Sequence, residues 1–208
     1  MPSPIPSPLT ASPTLRDVIG LDGRLPRLGD ATLIMIDFQN TYTTGVMALD
    51  GAREALEAGA RLLAAARAAG TPVIHIVNDG GENTPYDIRA ETGAVCDEVA
   101  PAPGEPVVVK QFPDSFHGTG LEKILREQGA GTDLVLAGFM THMCVAFTAQ
   151  SAFNLGYRPT VVAEATATRP LTAPDGTVLA AATLRTAALT TISDLFGTIA
   201  ATVDDLTA

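Results

Sequence analysis

The amino-acid sequence predicts one α/β domain, built on a parallel sheet whose two faces are covered by helices. Short apolar segments alternate along the chain with longer segments of helical periodicity, which is the pattern of β–α–β units. The chain has 208 residues, 46% hydrophobic and 17% charged, which is enough for one sizeable core and too little for two. Parallel strands are joined by right-handed crossovers, so we predict a three-layer, doubly wound fold.

Six short apolar segments predict the strands of this sheet. Continuous apolar runs of this length are typical of strands that are buried on both faces. No Gly-rich phosphate-binding motif follows the first of them, so the pattern does not indicate a nucleotide site. The six segments are residues 32–37, 71–77, 106–110, 133–138, 158–163 and 196–200.

Four segments between these strands predict helices. The first is rich in Ala and Leu and ends at Gly70, a typical helix C-terminal cap. The third follows the fourth strand, and Thr141 is a good N-cap residue for it. The predicted helices are residues 51–70, 118–129, 141–157 and 175–193.

The first thirty residues differ in composition from the rest of the chain. Residues 1–30 are rich in Pro and Ser and have no periodicity, so we interpret them as an N-terminal arm and residues 31–208 as the single domain. The segment TLRDVIGL at 14–21 is a candidate anchor for this arm. Two alternatives are open at this point: the arm packs on a neighbouring subunit, or it is a loose tail.

The charge balance and the cysteine content limit the partners and the location of the protein. Lys+Arg number 13 and Asp+Glu 23, a net charge of −10, which disfavours binding to nucleic acid or anionic membranes. The N-terminal residues do not resemble a signal peptide, and no apolar run reaches membrane-spanning length. Two cysteines, Cys96 and Cys144, do not suggest a disulfide scaffold. We therefore expect a cytoplasmic protein that acts on a small molecule.

Three ionisable residues follow the carboxyl ends of predicted strands, where ligands bind in doubly wound folds. Asp37 ends the first strand, Lys110 ends the third, and Cys144 comes shortly after the fourth. With a strand order of 3-2-1-4-5-6, Asp37 and Cys144 flank one crevice, and Lys110 lies two strands from Asp37, about 10 Å away. The three side chains are therefore candidates for one site.

These residue types suit nucleophilic catalysis. A free thiol has a pKa of about 8.5 and is mostly protonated at neutral pH. An N-cap at Thr141 places Cys144 near the third helical position, where backbone N–H groups and the helix dipole favour a thiolate. Lys110 adds a positive charge, and Asp37 can accept the thiol proton and later protonate a leaving amine.

Each residue also has an ordinary structural interpretation. An Asp after a strand is usually a turn or cap residue, a Lys there is usually solvated, and a Cys in an apolar helix usually belongs to the core. Their shared place at one end of the predicted sheet favours a common site. From the residue pattern alone, catalysis and structure are comparable alternatives.

Three longer motifs carry a resemblance to a known family. Residues 33–42 (LIMIDFQNTY) join an apolar strand to Asp-x-Gln, residues 107–121 (VVVKQFPDSFHGTGL) carry the lysine, and residues 136–169 (LAGFMTHMCVAFTAQSAFNLGYRPTVVAEATATR) carry the cysteine. Their order and spacing resemble the isochorismatase-like cysteine hydrolase superfamily, which includes nicotinamidases and carbamoylsarcosine amidases. The resemblance covers roughly residues 30 to 200.

The resemblance implies a fold, a mechanism and an assembly. It implies a six-stranded parallel sheet and a catalytic triad of Asp37, Lys110 and Cys144. It also implies a cis peptide bond before Met140, so that the N–H groups of Met140 and Cys144 form an oxyanion hole. The reaction it implies proceeds through an acyl-enzyme on the cysteine. Members of the superfamily are commonly oligomers, so we expect a homo-oligomer, a dimer or a tetramer.

The sequence departs from the nicotinamidases at their metal site. Those enzymes hold a metal beside the triad through an Asp-x-His motif and a later His. In the corresponding segment, residues 77–87, Asp79 matches, but Gly81 stands where the His would be. We therefore predict no metal and no cofactor, and we disfavour nicotinamide as the substrate. The three histidines are scattered: His75 lies in the second strand, His117 follows the lysine motif, and His142 is expected at the surface at a helix start.

The residues around the motifs predict the substrate contacts. Most are apolar or aromatic, which favours a small acyl group of low charge. Asp79 and Glu82 could meet a cationic group, which makes a basic cyclic amide such as a streptothricin-type lactam a candidate substrate. The predicted substrate-binding residues are Phe38, Gln39, Tyr42, Asn78, Asp79, Phe112, Phe116 and Met143.

Four functions are compatible with these observations. The first is a metal-independent cysteine amidase that cleaves a C–N bond of a small molecule. The second is an isochorismatase-type vinyl-ether hydrolase, in which Asp37 is essential and Cys144 is dispensable. The third is a non-catalytic binding module on a hydrolase fold. The fourth is a redox thiol protein, which would require Cys96 to approach Cys144 in space; we assign Cys96 to the core instead.

Overall fold

The computed structural model describes residues 10–207 and contains the predicted six-stranded parallel sheet. Its order is β3-β2-β1-β4-β5-β8, so the expected order 3-2-1-4-5-6 is confirmed. The last strand has a higher number because β6 and β7 form a separate antiparallel pair, which we did not predict. The strands are β1 (Thr32–Ile36), β2 (Val73–Asn78), β3 (Val107–Lys110), β4 (Asp133–Phe139), β5 (Arg158–Ala167), β6 (Leu171–Thr172), β7 (Val178–Leu179) and β8 (Thr198–Ala200).

Helices cover both faces of the sheet. All five residues of β1 are buried, as expected for a central parallel strand. Leu33 and Met35 pack on the side of α2, whereas Ile34 and Ile36 pack on the side of α3 and α4. The helices are α1 (Leu15–Ile19), α2 (Ala52–Ala68), α3 (Leu121–Glu127), α4 (Ala146–Asn154) and α5 (Ala181–Thr191).

Two predicted helices differ from the observed ones at their N-terminal ends. Residues Thr141–Val145 form a π-helical turn before α4, and the Thr141 hydroxyl donates to the Ala167 carbonyl oxygen (3.1 Å), so the predicted N-cap at Thr141 is wrong. The strand β5 competes for that hydroxyl. The helix predicted over 175–193 begins at Ala181, because the preceding residues form the short β6–β7 pair.

A glycine lets the carboxyl ends of β1 and β4 approach closely. Gly138 has a φ of +132°, and a Cβ at this position would lie 1.8 Å from the carbonyl oxygen of Ile36. Ile36 and Gly138 are also register partners in the parallel pair β1–β4. Because no side chain fits there, only glycine allows the segment after β4 to lie beside the residue that follows β1.

The described part of the N-terminal arm packs against its own chain. Thr14 caps α1 in a capping box with Asp17. The N–H of Leu15 donates to Asp194 Oδ1 (2.9 Å), and Arg16 Nη1 donates to the Leu195 carbonyl (3.3 Å). The arm residues 1–9 lie outside the described residues, and the division of the chain at residue 30 stays a prediction. Within residues 10–207, no helix combines the length and apolar character needed to cross a bilayer.

Candidate active site

The structure brings the three candidate residues into one buried cluster. Lys110 Nζ lies 2.7 Å from Asp37 Oδ2 and 3.3 Å from Cys144 Sγ. Asp37 has no exposed surface, Lys110 is 1% exposed and Cys144 is 5% exposed. A buried lysine that bridges a carboxylate and a thiol is uncommon for a purely structural residue, because each charge loses its hydration.

The backbone fixes each member of this cluster at a carboxyl end of the sheet. Asp37 directly follows β1 in a left-handed conformation (φ +51°), and its N–H donates to the Ile76 carbonyl (2.9 Å). Lys110 is the last residue of β3, in register with Asn78 of β2. Cys144 lies in the π-helical turn before α4. The three side chains therefore converge into one cluster at the carboxyl edge of the sheet, where ligands bind in doubly wound folds.

The turn that carries the thiol has the expected cis peptide bond. It lies between Phe139 and Met140, as the resemblance implies. The Met140 carbonyl accepts hydrogen bonds from the N–H groups of Met143 (3.0 Å) and Val145 (3.3 Å). These bonds close the turn around Cys144.

Burial makes Asp37 a stronger base than an ordinary aspartate. Burial raises the pKa of its carboxyl, and the charge of Lys110 opposes this rise. The contact with Lys110 is a close ion pair that is not aligned as a hydrogen bond, so neither carboxylate oxygen has a hydrogen-bond partner among the described residues. For Lys110, burial lowers the pKa, but the charges of Asp37 and Cys144 outweigh burial and raise it.

The thiol of Cys144 is protonated at neutral pH. Burial, together with the neighbouring charge of Asp37, raises its pKa to about 12, against the opposing effect of Lys110. Lys110 thus favours the thiolate, as expected, but burial and the charge of Asp37 outweigh it. Desolvation and the adjacent carboxylate dominate, and a chemical step at Cys144 requires a base.

Gln39 uses its whole amide group to hold the backbone around the cluster. Its Oε1 accepts from the Asn78 N–H (2.9 Å), and its Nε2 donates to the carbonyls of Asn78 (3.0 Å) and Gly93 (2.7 Å). Gln39 is fully buried. It thus joins the end of β2 to the turn at Gly93. A direct contact of Gln39 or Asn78 with substrate stays a prediction.

Two predicted substrate residues lie within an aromatic group. Phe38 packs edge-to-face on Phe139, with ring centres 4.9 Å apart, and both rings are buried in the core. Tyr42 packs edge-to-face on Phe139 (5.6 Å) and on Tyr86 (5.7 Å). Burial, and secondarily the negative charge of Asp37, raises the pKa of Tyr42, which therefore stays a neutral phenol. Tyr86 is a neighbour that the sequence reasoning missed.

The other apolar candidates lie at different depths. Phe112 is 51% exposed, and its ring packs edge-to-face on His117 (4.8 Å). Phe116 is half-buried and stacks on Tyr157 (6.0 Å). Met143 is half-buried and packs against both hydrophobic clusters. Their contacts with a substrate stay predictions.

Asp79 is already paired with an arginine. Arg89 donates from Nη1 and Nη2 to the two carboxylate oxygens of Asp79 (2.9 and 2.8 Å), and Arg89 Nε lies 2.7 Å from Asp87 Oδ1. The Gly81 N–H adds a third hydrogen bond to Asp79 (2.9 Å). These contacts, led by Arg89, lower the pKa of Asp79. The carboxylate on which the cationic-substrate hypothesis depends is therefore already engaged by an arginine, which it shares with Asp87.

No group of three or more His, Cys, Asp or Glu side chains within residues 10–207 is placed to hold a metal ion. The position of the expected metal-binding His is Gly81, and Asp79 is paired with Arg89. The absence of a metal and of a cofactor stays a prediction.

An arginine near the site was missed by the sequence reasoning. Arg169 follows β5, and its charge, after burial, lowers the pKa of His142. Burial raises the pKa of Tyr86, and the charges of Cys144 and Asp37 raise it further, whereas the charge of Arg169 lowers it. Arg169 Nε is buried and has no hydrogen-bond partner within the described chain. The residue ends the third sequence motif, but no local pattern distinguishes it.

His142 differs from its expected surface position. It is half-buried, and its Nδ1 lies 2.5 Å from Thr168 Oγ1. The contact joins the turn that carries Cys144 to the end of β5. Cys96 is a free, buried core residue, as expected, and burial raises the pKa of its thiol to about 11.

Comparison with known proteins places this site in a family. The Isochorismatase domain model matches residues 31–194. The chain is 31% identical to the Secreted isochorismatase effector Isc1 of Verticillium dahliae, over 92% of this chain and 98% of that protein. It is 38% identical to the Maleamate amidohydrolase of Pseudomonas putida, over 64% of this chain and 70% of that protein. It is 37% identical to a Streptothricin hydrolase of Streptomyces noursei, over 69% of this chain but only 52% of that protein.

A solved structure agrees with the sequence comparisons. The crystal structure of an isochorismatase from Pseudomonas putida superposes with a TM-score of 0.90 at 36% identity, over 94% of this chain and all of that one. On the strength of the domain match, the relatives and this superposition, the chain belongs to the isochorismatase family of hydrolases.

Proposed function

We propose that this protein is a cysteine hydrolase that cleaves a C–N bond, an amide or a lactam, of a small molecule. The observation that carries the proposal is the buried contact of Lys110 with both Asp37 (2.7 Å) and Cys144 (3.3 Å). These residues supply a base, a nucleophile and a fixed positive charge in one crevice from which water is largely excluded.

In the first half of the proposed reaction, the thiol of Cys144 attacks the carbonyl carbon. Asp37 takes the thiol proton, because a thiol with a pKa of about 12 does not ionise unaided. The N–H groups of Met140 and Cys144 form the proposed oxyanion hole. Collapse of the tetrahedral intermediate breaks the C–N bond, and Asp37 transfers its proton to the departing nitrogen. The product is an acyl-enzyme thioester.

In the second half, water hydrolyses the thioester. Asp37 removes a proton from the water, the oxygen adds to the carbonyl carbon, and the proton returns to the sulfur as the acid leaves. Lys110 stays protonated throughout, because its pKa is raised above its ordinary value. It balances the negative charge that moves between the carboxylate and the sulfur.

Mass spectrometry of intact protein tests this proposal. Wild type, Cys144→Ala and Cys96→Ala are each incubated with small amides, lactams and isochorismate, quenched in acid and weighed, and the release of ammonia, amine or acid is assayed. We expect an acyl-sized mass gain and turnover with wild type and Cys96→Ala, and neither with Cys144→Ala.

The other outcomes separate the alternatives. Turnover of an ether substrate that survives in Cys144→Ala would replace this proposal with the vinyl-ether hydrolase that uses Asp37. Tight binding of panel compounds without turnover by any variant would favour the non-catalytic binding module.

Within this proposal, the charges near the site favour a substrate that carries a carboxylate over a cationic lactam. Arg89 pairs with Asp79 and Asp87, whereas the buried Nε of Arg169 has no hydrogen-bond partner among the described residues. An arginine of this kind suits a carboxylate. Of the two candidates, the streptothricin-type lactam and an anionic amide, the second therefore agrees better with the local charges.

Steady-state kinetics of Arg169→Gln test this preference. For an amide that carries a carboxylate we expect KM to rise about tenfold or more with little change in kcat, and for a neutral amide of the same length no change. Arg89→Gln is the matched control, because it removes an arginine that already has a carboxylate partner. An unchanged KM for the anionic amide in Arg169→Gln would reopen the cationic lactam.

We also propose a cytoplasmic location. The support is that both cysteines, Cys96 and Cys144, are unbridged, as is usual in a reducing compartment. The relative in Verticillium dahliae is named as secreted, so fractionation of the native cells and assay of the medium distinguish the two locations.

A further inference from the structure

Tyr86 and Arg169 belong to segments that leave the sheet on opposite sides of the site. Strands β1 and β4 lie between β2 and β5, so the ends of β2 and β5 are about 14 Å apart at ordinary strand spacing. Asp37 and Cys144 follow the two inner strands. Tyr86 comes from the loop after β2, and Arg169 from the segment after β5. A ligand that reaches Cys144 therefore has one of these two residues on each side.

The backbone of the loop after β2 fixes the position of Tyr86. The Gly80 N–H donates to the Tyr86 carbonyl (3.1 Å), and the Tyr86 N–H donates to Thr84 Oγ1 (3.2 Å). A Cβ on Gly80 would lie 3.0 Å from the Cβ of Tyr86, so glycine allows this close approach. The neighbouring Asp79 N–H donates to the Lys110 carbonyl (2.9 Å). The loop thus ties Tyr86 to the strand end that carries Lys110.

A buried aromatic group holds the ring of Tyr86. This ring packs edge-to-face on Tyr42 (5.7 Å between ring centres), and Tyr42 packs on Phe139 (5.6 Å). Tyr42 is buried, whereas Tyr86 is half-buried. Phe139 ends β4, shortly before the turn that carries Cys144. The aromatic contacts therefore fix the phenol of Tyr86 relative to Cys144 and leave part of it accessible.

The hydroxyl of Tyr86 keeps its proton available for a ligand. Burial raises the pKa of Tyr42, and its hydroxyl contact with Tyr86 raises it further. Burial also raises the pKa of Tyr86 above its ordinary value of 10, whereas the contact with Tyr42 lowers it. These opposite effects make Tyr42 the donor and Tyr86 the acceptor. Tyr86 is thus a neutral phenol that can still donate its own proton.

The charges that act on the Tyr86 hydroxyl indicate the kind of group it faces. After burial and Tyr42, the charges of Cys144, Arg169 and Asp37 change its pKa, and such effects weaken with distance. The hydroxyl therefore lies near the site and near the arginine. A cation at this point would be repelled by Arg169, whereas an anion can accept from both the phenol and the guanidinium.

We propose that Tyr86 is a specificity residue whose hydroxyl donates a hydrogen bond to the carboxylate of the substrate, beside Arg169. This inference rests on the proposed amidase function and on its preference for a substrate that carries a carboxylate. Arg169 supplies the charge and Tyr86 supplies a directed donor from the other side of the site. Two donors from opposite segments fix the orientation of the acid group, and with it the distance from the acid group to the scissile amide.

Binding to the Cys144→Ala protein tests recognition separately from chemistry. The probes are succinamate, which carries an amide and a carboxylate, and succinamide, its neutral counterpart of the same length. Calorimetry measures both dissociation constants. Adding Tyr86→Phe should raise the dissociation constant of succinamate about tenfold and change that of succinamide less than about twofold, because a hydrogen bond to a charged acceptor is lost.

Tyr157→Phe is the matched control for Tyr86→Phe. It removes the hydroxyl of another half-buried tyrosine and keeps the ring that stacks on Phe116. Tyr157 follows α4, whereas Cys144 precedes this helix, so the two residues lie at opposite ends of it. The control should change neither dissociation constant. An equal dissociation constant for succinamate with and without Tyr86→Phe overturns the proposal, as does a Cys144→Ala protein that binds succinamate no more tightly than succinamide.

Steady-state kinetics in proteins that retain Cys144 separate this proposal from the proposed function. Tyr86→Phe should raise KM for succinamate about tenfold and leave kcat within about twofold. A fall in kcat for both amides without a change in KM would give Tyr86 a role in the chemical step and overturn the proposal. Selective loss of succinamate binding in Tyr86→Phe, without turnover by wild type, would support the carboxylate subsite and contradict the amidase function. Turnover by wild type that Tyr86→Phe leaves unchanged would do the reverse.

Discussion

Strand β3 has a cluster of ionisable side chains at each end, and the two clusters differ in how many hydrogen bonds their carboxylates accept. The cluster at the carboxyl end has an incompletely bonded carboxylate. The cluster at the amino end has a carboxylate with a full set of hydrogen bonds. The first, the site cluster, consists of Asp37, Lys110 and Cys144, and the second, the Glu105 cluster, consists of Glu105, Arg67 and His75.

Hydrogen bonds surround the carboxylate of the Glu105 cluster. Arg67 donates to both oxygens of Glu105 (2.8 Å each), the Ala102 N–H donates to Oε2 (2.8 Å), and His75 Nε2 lies 2.8 Å from the same atom. These contacts, led by Arg67, lower the pKa of Glu105 to about 2. In the site cluster, burial raises the pKa of Asp37, since its single ion pair does not replace the lost hydration.

The difference separates a structural charge from a reactive one. A carboxylate that accepts several hydrogen bonds is stabilised as an anion and is a poor proton acceptor. A desolvated carboxylate whose oxygens lack hydrogen-bond partners accepts a proton readily. The chain thus uses the same side-chain chemistry at the two ends of one strand for stability and, in our proposal, for catalysis.

The largest expected effect is the loss of activity when the site carboxylate is neutralised. Asp37→Asn removes the proposed base while keeping the shape of the side chain, so kcat/KM should fall at least about a thousandfold on any amide that wild type hydrolyses. Glu105→Gln makes the same chemical change in the other cluster and should leave kcat/KM within about threefold. Steady-state rates of folded variants, checked by circular dichroism, measure both. An equal fall of kcat/KM in the two variants would contradict the assignment of a catalytic role to Asp37 and a structural role to Glu105.

A substitution in the Glu105 cluster should lower the stability of the protein. Glu105→Gln replaces an acceptor of several hydrogen bonds by a group with one acceptor oxygen, leaving donors of Arg67 and Ala102 unpaired. Because Glu105 is mostly buried and Arg67 is partly exposed, we expect a loss of about 1–3 kcal/mol in the free energy of unfolding. Urea unfolding measures this loss, provided that the change of the free energy of unfolding with urea concentration is the same in both proteins.

An exposed glutamate provides the control for this measurement. Glu127 pairs with Lys123 across one helical turn at 3.7 Å, and both side chains are largely exposed. Glu127→Gln should change the free energy of unfolding by less than about 0.5 kcal/mol. A Glu105→Gln protein as stable as this control would mean that the hydrogen bonds around Glu105 contribute nothing.

The sequence predicted the site cluster better than its surroundings. Asp37, Lys110 and Cys144 could be found because each directly follows a strand or lies in the turn after one, and strand ends of a parallel sheet share one edge. The Asp79–Arg89 pair could not be found, since it depends on the path of a loop without periodicity. Arg169 was missed because β5 runs to Ala167, beyond the end predicted for this strand at residue 163.

The fold was predictable where burial is continuous and less so where strands are short. The five buried residues of β1 form an apolar run, whereas the two-residue strands β6 and β7 have no detectable period. Thr141 was interpreted as an N-cap from its residue type, but the carbonyl of Ala167, brought close by β5, accepts its hydroxyl. The local preference was correct in general and was overridden by a tertiary contact.

The Glu105 cluster also gives stability a dependence on pH. Burial lowers the pKa of His75 below its ordinary value of 6.5, so the unfolded chain binds this proton more readily than the folded chain. Its contribution to stability is present above pH 6.5 and is lost as the pH falls from there toward the folded pKa. The contribution of Glu105 to stability is present above its unfolded pKa of 4.5 and is lost as the pH falls from 4.5 to about 2.

The free energy of unfolding of wild type should therefore decrease as the pH falls from 7 to 5. Each histidine with a lowered pKa adds at most about 1.4 kcal/mol per pH unit to the slope. His75→Gln should flatten this slope without abolishing it, because His142, whose pKa burial also lowers, remains. Glu105→Gln should flatten the dependence of the free energy of unfolding on pH below pH 4.5, because this variant lacks the carboxylate whose pKa is lowered in the folded chain. Urea titrations at each pH give the slopes, and identical slopes for wild type and His75→Gln between pH 5 and 7 would mean that His75 takes up its proton equally in the folded and unfolded chains.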